Sequence, residues 1–367
     1  MHTSGEPKVL WVTNNAAPYR VPVWESLAEK VDLKIRLLQR DDEVLSDARR
    51  SEEWTVSSAR SSGLDVDALK TFRVGRGERL YYGLLQSCAR LARGCDAVLL
   101  GAWESPACWQ LSSAAKRRGV RRVGFYESTR QSQRHQAGPI GRARGHFFRS
   151  MDAVVVPGPA AADALLDMGV AQNRIFEGFN AVDVDRFAAV AHVAPEGKGH
   201  RFLYVGQLIA RKNVDGLIRA FARCAQAGDT LTIVGKGEME EQLWQLSSSL
   251  GLDGRVHFVG ASLYADLPSV MSHHHTLVLP STEEVWGLVV NEALAAGRHV
   301  VVSELAGVQP SVKSMPGVFT SGPEIDSLTK ALDRSRGSWT GPVVDPPISK
   351  RTPQGFADTF LEAFRVG

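Results

Sequence analysis

The chain has 367 residues, 44% of them apolar and 23% charged, with a formal net charge of +3. That length exceeds what one hydrophobic core comfortably fills, so two domains are expected, and the composition is that of an ordinary globular protein, not a disordered or fibrous one. No apolar run approaches the roughly 20 residues that span a bilayer, and the four cysteines (Cys88, Cys95, Cys108, Cys224) form no Cys-x-x-Cys pair, so reduced thiols are expected, not a disulfide or zinc framework.

In chain order, "KVLWVT" (8–13) reads as a first buried strand. The residues before it lack the basic region and long apolar core of a secretory signal, and a cytoplasmic location is expected. "VDLKIRLL" (31–38), "DAVLLG" (96–101), "RRVGFYE" (121–127) and "DAVVVPG" (152–158) continue the series. After a Gly- and Ala-rich polar stretch (188–199) the pattern restarts with "RFLYVGQ" (201–207), "TLTIVGK" (230–236), "RVHFVG" (255–260), "TLVLPS" (276–281) and "HVVVSE" (299–304). These runs are continuously apolar, which indicates parallel sheets covered on both faces. Amphipathic segments such as "VDGLIRAFARCAQ" (214–226) and "EMEEQLWQLSSSLG" (238–251) read as the covering helices. The expected fold is α/β: two facing doubly wound Rossmann-like domains, residues 1–187 and 188–349, with a cleft between them. "TPQGFADTFLEAFR" (352–365) reads as a closing helix, and 350–367 is expected to pack back onto the first domain.

The stretch "PSTEEVWGLVVNEALAAG" (280–297) carries Glu284 and Glu292 eight positions apart. On one helix they would be separated by about 12 Å, too far to share a metal or a proton. Because "TLVLPS" is a strand and "LVVNEALAAG" a helix, Glu284 falls in the turn and Glu292 on the helix's second turn. The amides of Trp286, Gly287 and Leu288 then form a helix N-terminus, whose unsatisfied donors and partial positive charge favour phosphate, and Gly287 admits close approach to the backbone. "YVGQLIARKN" (204–213) places Arg211 and Lys212 in a loop at the carboxyl end of its strand, and parallel topology brings both loops to one edge. The reading is an anion seat with a carboxylate on each side for a hydroxyl-rich ligand. A diphosphate leaving group held by Lys, Arg and a helix N-terminus needs no metal.

These residues resemble the family 4 retaining glycosyltransferases of the GT-B fold. The matching pieces are "VGxLxxxKN" at Val205–Asn213, "VGxG" at Val234–Gly237, "VxFxG" at Val256–Gly260 and "PSxxExWGLxxxEALAxG" at Pro280–Gly297, with the family's E-x7-E spacing. "NAVDVDRF" (180–187) is similar to the family's interdomain linker, and together the pieces cover most of residues 175–305. The resemblance implies an enzyme that moves a sugar from a nucleoside diphosphate sugar, UDP- or GDP-linked, with no cofactor and no metal. Glu284 and Lys212 would be the catalytic pair. The resemblance has Glu284 accepting from the donor sugar, Lys212 neutralising the diphosphate and Glu292 holding the ribose. The amides of Trp286, Gly287 and Leu288 would meet the diphosphate or sugar and the backbone near Val259 the base, with Gly206, Gln207 and Arg211 in the same donor site. Four features depart from the pattern: Gln207 stands where Arg is usual, Val285 replaces a common Gly, "FYEST" (125–129) occupies the strand end of a family histidine, and "NNAAPYRVP" (14–22) follows the first strand where many members have a Gly-rich loop, which puts the expected phosphate grip mostly in the second domain. A nucleotide-sugar epimerase, a sugar-phosphate synthase and a non-catalytic nucleotide-sugar-binding protein are the alternatives.

The first domain is less explicit. Asn15, Tyr19 and Arg20 in "NNAAPYRVP", after strand one, are acceptor-site candidates, with a Pro-punctuated helix start as the competing reading. Glu127 either orients an acceptor hydroxyl or pairs with Arg121 or Arg130. From Lys116 to Arg149 ten Lys/Arg stand against that single acid. This stretch is either a solvated basic surface or a contact for anionic lipid, with "HFFRSM" (146–151) as apolar anchors and a peripheral position at the inner membrane face. Nucleic acid is not an expected partner, and the acceptor stays open. "HHH" (273–275) is read as non-metal, since neighbouring side chains alternate in direction. The Asp-x-Asp matches at Asp65–Asp67 and Asp183–Asp185 are read as chance.

Overall fold

The computed structural model describes residues 6–46, 52–75, 80–133, 135–195 and 197–365; Arg134 of the basic stretch lies outside them. The chain forms two compact units, Met1–Asn180 with Pro353–Gly367, and Ala181–Thr352. The first boundary falls before the expected 187/188 because the helix Val184–Ala188 packs on Leu288–Ala295 of the second unit, and Phe187 meets Tyr264 there. The second falls just after the expected 349/350, because the turn Pro347–Lys350 packs on the same two helices.

The strands of the first unit are β1 (Lys8–Thr13), β2 (Asp32–Leu37), β3 (Asp65–Ala68), β4 (Thr71–Val74), β5 (Tyr81–Leu84), β6 (Ala97–Leu100), β7 (Arg121–Phe125), β8 (Ala153–Val156) and β9 (Ile175–Glu177). Seven of them make a parallel sheet in the order β3-β2-β1-β6-β7-β8-β9, with β4 and β5 as a separate antiparallel pair. β1, β6 and β8 are almost wholly buried, as continuous apolar runs require. β3, β4, β5 and β9 were not expected. β3 is the edge strand "DVDA", in which only Val66 is buried while Asp65 and Asp67 pair with Arg36 and Arg60. The first Asp-x-Asp is therefore an edge strand with its acids outward. The terminal helix Pro353–Arg365 covers the sheet: Phe360 packs against Trp11 at 4.7 Å, Phe356 against Phe125 at 6.1 Å, and Arg121 Nε donates to the Ala363 carbonyl at 2.7 Å.

The second unit holds β10 (Arg201–Val205), β11 (Thr230–Val234), β12 (Val256–Gly260), β13 (Thr276–Leu279), β14 (His299–Ser303) and β15 (Val318–Ser321), in the parallel order β12-β11-β10-β13-β14-β15. Both sheets are wound outward from a first strand, so the order reverses between β1 and β6 in one and between β10 and β13 in the other. At such a point the two connections leave in opposite directions and open a crevice at the strands' carboxyl ends. No described helix is long and apolar enough to cross a membrane.

Candidate active site

At the β10/β13 reversal, the "VG" pairs ending β10 and β11 run into one another. Gly206 N–H donates to the Val234 carbonyl and Gly235 N–H to the Gly260 carbonyl, at 3.0 and 2.7 Å. A Cβ on Gly235 would lie 1.8 Å from the Gly206 oxygen, so only glycine permits this crossing. The chain then turns through Ala210–Lys212 and the left-handed Asn213 into the helix Val214–Cys224. Asn213 Nδ2 ties the turn to the Pro280 carbonyl at 3.1 Å, and Thr282 N–H donates to the Arg211 carbonyl at 2.9 Å. The loops after β10 and β13 are thus bonded together.

That stitching brings Lys212 Nζ onto Glu284 Oε2 in an ion pair whose side chains are each only 12% exposed. Ser281 Oγ donates to the same carboxylate at 3.4 Å. Arg211 Nη1 turns instead to the Glu283 carbonyl at 3.4 Å, and Gln207 supplies its carbonyl to the Tyr204 hydroxyl at 2.8 Å. Trp286 is buried, and Gly287, at φ 101°, caps the helix Leu288–Ala295. A Cβ there would lie 2.6 Å from Leu279 Cδ2, so glycine sets how closely this helix start approaches β13. Val259 is exposed at a β12 irregularity, where the pairing with β11 jumps from Phe258 to Gly260.

Glu292 is 4% exposed within the same helix. Burial pushes its carboxyl up to about 8, against the smaller opposing effects of a hydrogen bond with Tyr264 and the charge of Arg186. A protonated carboxyl both donates and accepts, which suits a vicinal diol. Arg186 stacks over Tyr264 at 5.3 Å, and Asp183 caps Arg186's helix, which gives the second Asp-x-Asp a structural use. Tyr264 and Arg186 were not anticipated; Arg186 lay unremarked within the linker motif.

The first unit's reversal holds a second constellation. Asn15, Tyr19, Arg20 and Glu127 line one cavity of about 270 Å³, joined by Trp54 and Gly101. Glu127 pairs with neither Arg121 nor Arg130: Arg20 Nη2 donates to its Oε1 at 3.1 Å, and Asn180 Nδ2 donates to the same oxygen at 3.1 Å. Arg121 is taken by the terminal helix and Arg130 by Asp167. Asn15 Nδ2 donates to Gln39 Oε1 at 3.0 Å. Trp54 sits in a polar stretch with no pattern around it, whereas Asn180 opens the linker motif.

Much of the basic stretch is internally paired. Arg122 bonds Asp152, buried Arg144 stacks over Trp103, and Arg149 donates to the Met168 carbonyl. Phe147, Phe148 and Met151 are core residues, so "HFFRSM" offers no apolar anchors. The three consecutive histidines take separate partners: His273 the Ser269 carbonyl, His274 Thr232 and His275 the Arg201 amide.

The chain is similar to several known proteins. Residues 186–335 match the family model "Glycosyl transferases group 1". An uncharacterized glycosyltransferase, MJ1607 of Methanocaldococcus jannaschii, is 32% identical over 37% of the chain, which spans 36% of that relative's length. The 2-deoxystreptamine glucosyltransferase of Streptomyces kanamyceticus is 25% identical over 78% of the chain and 80% of its own length. Among solved structures, Anabaena Alr3699/HepE in complex with UDP superposes with a TM-score of 0.69 at 16% identity, covering 97% of this chain and 94% of that one. The fold is that of the GT-B glycosyltransferases.

Proposed function

We propose that this chain, whose second unit carries a group 1 glycosyl transferase domain, moves a sugar from a nucleoside diphosphate sugar to an acceptor hydroxyl, with retention at the anomeric carbon and without a metal. The observation that carries the reading is the Lys212–Glu284 pair, held beside the start of the helix Leu288–Ala295 at the sheet's reversal point. An arriving diphosphate competes for Lys212 and shares the helix-end amides; Glu284, released from its partner, accepts from the sugar hydroxyls. These groups stabilise the charge that develops as the anomeric C–O(phosphate) bond breaks. The acceptor oxygen forms the new bond from the same face, and its proton passes to the departing phosphate. The balance is complete with a nucleoside diphosphate as the second product, and no side-chain base is required. Glu292 holds the ribose.

The Anabaena structure contains UDP, which makes UDP-sugars the first donors to try. Incubation of the purified chain with a UDP-sugar panel should release UDP in the presence of an acceptor, with EDTA harmless. NMR of the product should show the donor's anomeric configuration. An inverted product, or activity abolished by EDTA and restored by magnesium, overturns the mechanism; an epimerised donor with no transfer product overturns the reaction class.

A further inference from the structure

Resting on the transferase reading, we infer that the first unit's cavity seats the ring of one unphosphorylated sugar or cyclitol as acceptor and disfavours anionic ones. The reversal between β1 and β6 opens this crevice, and about 270 Å³ accommodates a single ring, below the range of pockets that bury larger ligands. Trp11, Trp24 and Phe125 are buried beneath its floor, and Tyr19 and Trp54 meet edge to face at 6.0 Å on its rim. The rim aromatics suit the C–H side of a saturated ring, while Thr13, Asn14, Asn15 and Glu127 supply polar atoms.

Charge decides the class. Arg20 looks like an anion receptor in the sequence, but its guanidinium is engaged on several sides. It donates to Glu127 at 3.1 Å and to Asn180 Oδ1 at 3.3 Å, and its plane lies over Phe125 at 4.7 Å and Tyr19 at 5.6 Å. It is 6% exposed. Both bonds to Glu127, from Arg20 and Asn180, fall on Oε1, and no side chain among the described residues bonds Oε2. The Glu127 side chain is 34% exposed. The charged atom offered to a ligand is therefore a carboxylate oxygen, which accepts from hydroxyls or amines and repels phosphate, beside the neutral Thr13, Asn14 and Asn15. This acid fixes the ring by its donors; the arginine fixes the acid.

The test is a tryptophan-fluorescence titration of the full chain with glucose, glucosamine and myo-inositol, each beside its monophosphate, with UDP binding measured by calorimetry in parallel. At least one unphosphorylated ring should give a saturable response, and its phosphate should bind at least about tenfold more weakly. Glu127→Gln should weaken that ring about tenfold while leaving UDP affinity unchanged. Should Glu127→Gln fail to fold, Trp54→Ala, which leaves the Arg20 hydrogen bonds to Glu127 and Asn180 in place, should give the same loss. Phosphates binding as well as the parent rings, or UDP bound with no ring response, overturns the acceptor class alone. A wild-type chain that binds no UDP overturns the transferase reading and this inference with it.

Discussion

Each unit holds one cation–glutamate pair at its sheet's reversal, and the two are built oppositely. Lys212 meets Glu284 as a point charge on a flexible stem, and Ser281 is the only other side chain bonded to that carboxylate among the described residues. Arg20 is clamped by Glu127, Asn180 and the faces of Phe125, Tyr19 and Phe356, the last at 5.9 Å. A lysine ammonium can re-aim at an arriving phosphate with little reorganisation, whereas a stacked, forked guanidinium gives up several interactions to move. On the proposed function, the first pair would yield to its ligand and the second would stay.

The largest expected difference follows from that. Lys212→Ala and Glu284→Ala should each lower kcat by about two to three powers of ten, the range seen when one stabiliser of developing charge is removed. Far-ultraviolet circular dichroism should stay unchanged, because neither side chain belongs to a core cluster. Steady-state rates with saturating donor check this. Near-normal turnover in either variant removes the distinction between the two pairs.

A second difference lies at the opposite end of the second unit's sheet. His200 and His275 stack at 4.6 Å beneath Trp339, with His299 4.9 Å from the same ring. Burial depresses His200 to about 3 and His274 and His275 to about 4, and lowers His299; neighbouring His, Arg201 and Arg298 add to the effect. Above pH 6.5 these groups are neutral both folded and unfolded. As pH falls from about 6.5 toward 4 the unfolded chain takes up protons that the fold refuses, so stability is lost across that window. Glu292 works the other way: with a folded value of about 8, it stabilises the fold as pH falls toward 4.5. Several histidines outweigh one carboxyl, and the melting temperature followed by circular dichroism should drop by about 10 °C between pH 6.5 and 4.5. Glu292→Gln should enlarge the drop, and a flat profile would rule out the cluster as a source of acid sensitivity.

Arg20→Lys tests the clamp. Lysine keeps the charge but loses the second hydrogen bond and the stacked plane, at about 2 kcal/mol, or about 5 °C in Tm. Lys212→Arg should leave Tm within about 1 °C, because it keeps a cation against Glu284 and removes nothing from a core cluster.

The legibility of the two regions differs for a physical reason. The second unit's site is set by local spacing: Lys212 follows β10 and Glu284 follows β13 at offsets fixed by tight turns, and glycines such as Gly235 and Gly287 mark where backbones crowd. In the first unit the decisive contact joins Arg20 to Glu127 across 107 positions, with Asn180 reaching both. Sequence proximity pointed instead to Arg121 and Arg130. Short edge strands failed for a related reason: β3 buries one side chain and β9 none completely, so neither carries an apolar run. "HFFRSM" misled because adjacent phenylalanines look like an exposed patch. Phe147 packs on Trp109 at 4.9 Å and Phe148 on Tyr126 at 4.7 Å, partners that only the folded helix Gly138–Arg149 supplies.

The smallest predicted effect concerns Glu292, buried like Glu284 but without a lysine partner. At neutral pH its carboxyl is protonated, because burial outweighs Tyr264 and Arg186. A neutral acid and a glutamine are close in shape, and both donate and accept, so Glu292→Gln should weaken UDP by no more than about threefold at pH 7. Glu292→Ala, which leaves ribose hydroxyls without a partner, should weaken it about tenfold. Above pH 8 the wild-type carboxyl ionises in its buried seat while the amide does not, so the two affinities should diverge there and nowhere lower. Calorimetric titration of UDP across pH 6.5–9 reads this directly. A parallel pair of curves would mean that Glu292 keeps one ionisation state from pH 6.5 to 9, against a burial-raised value of about 8.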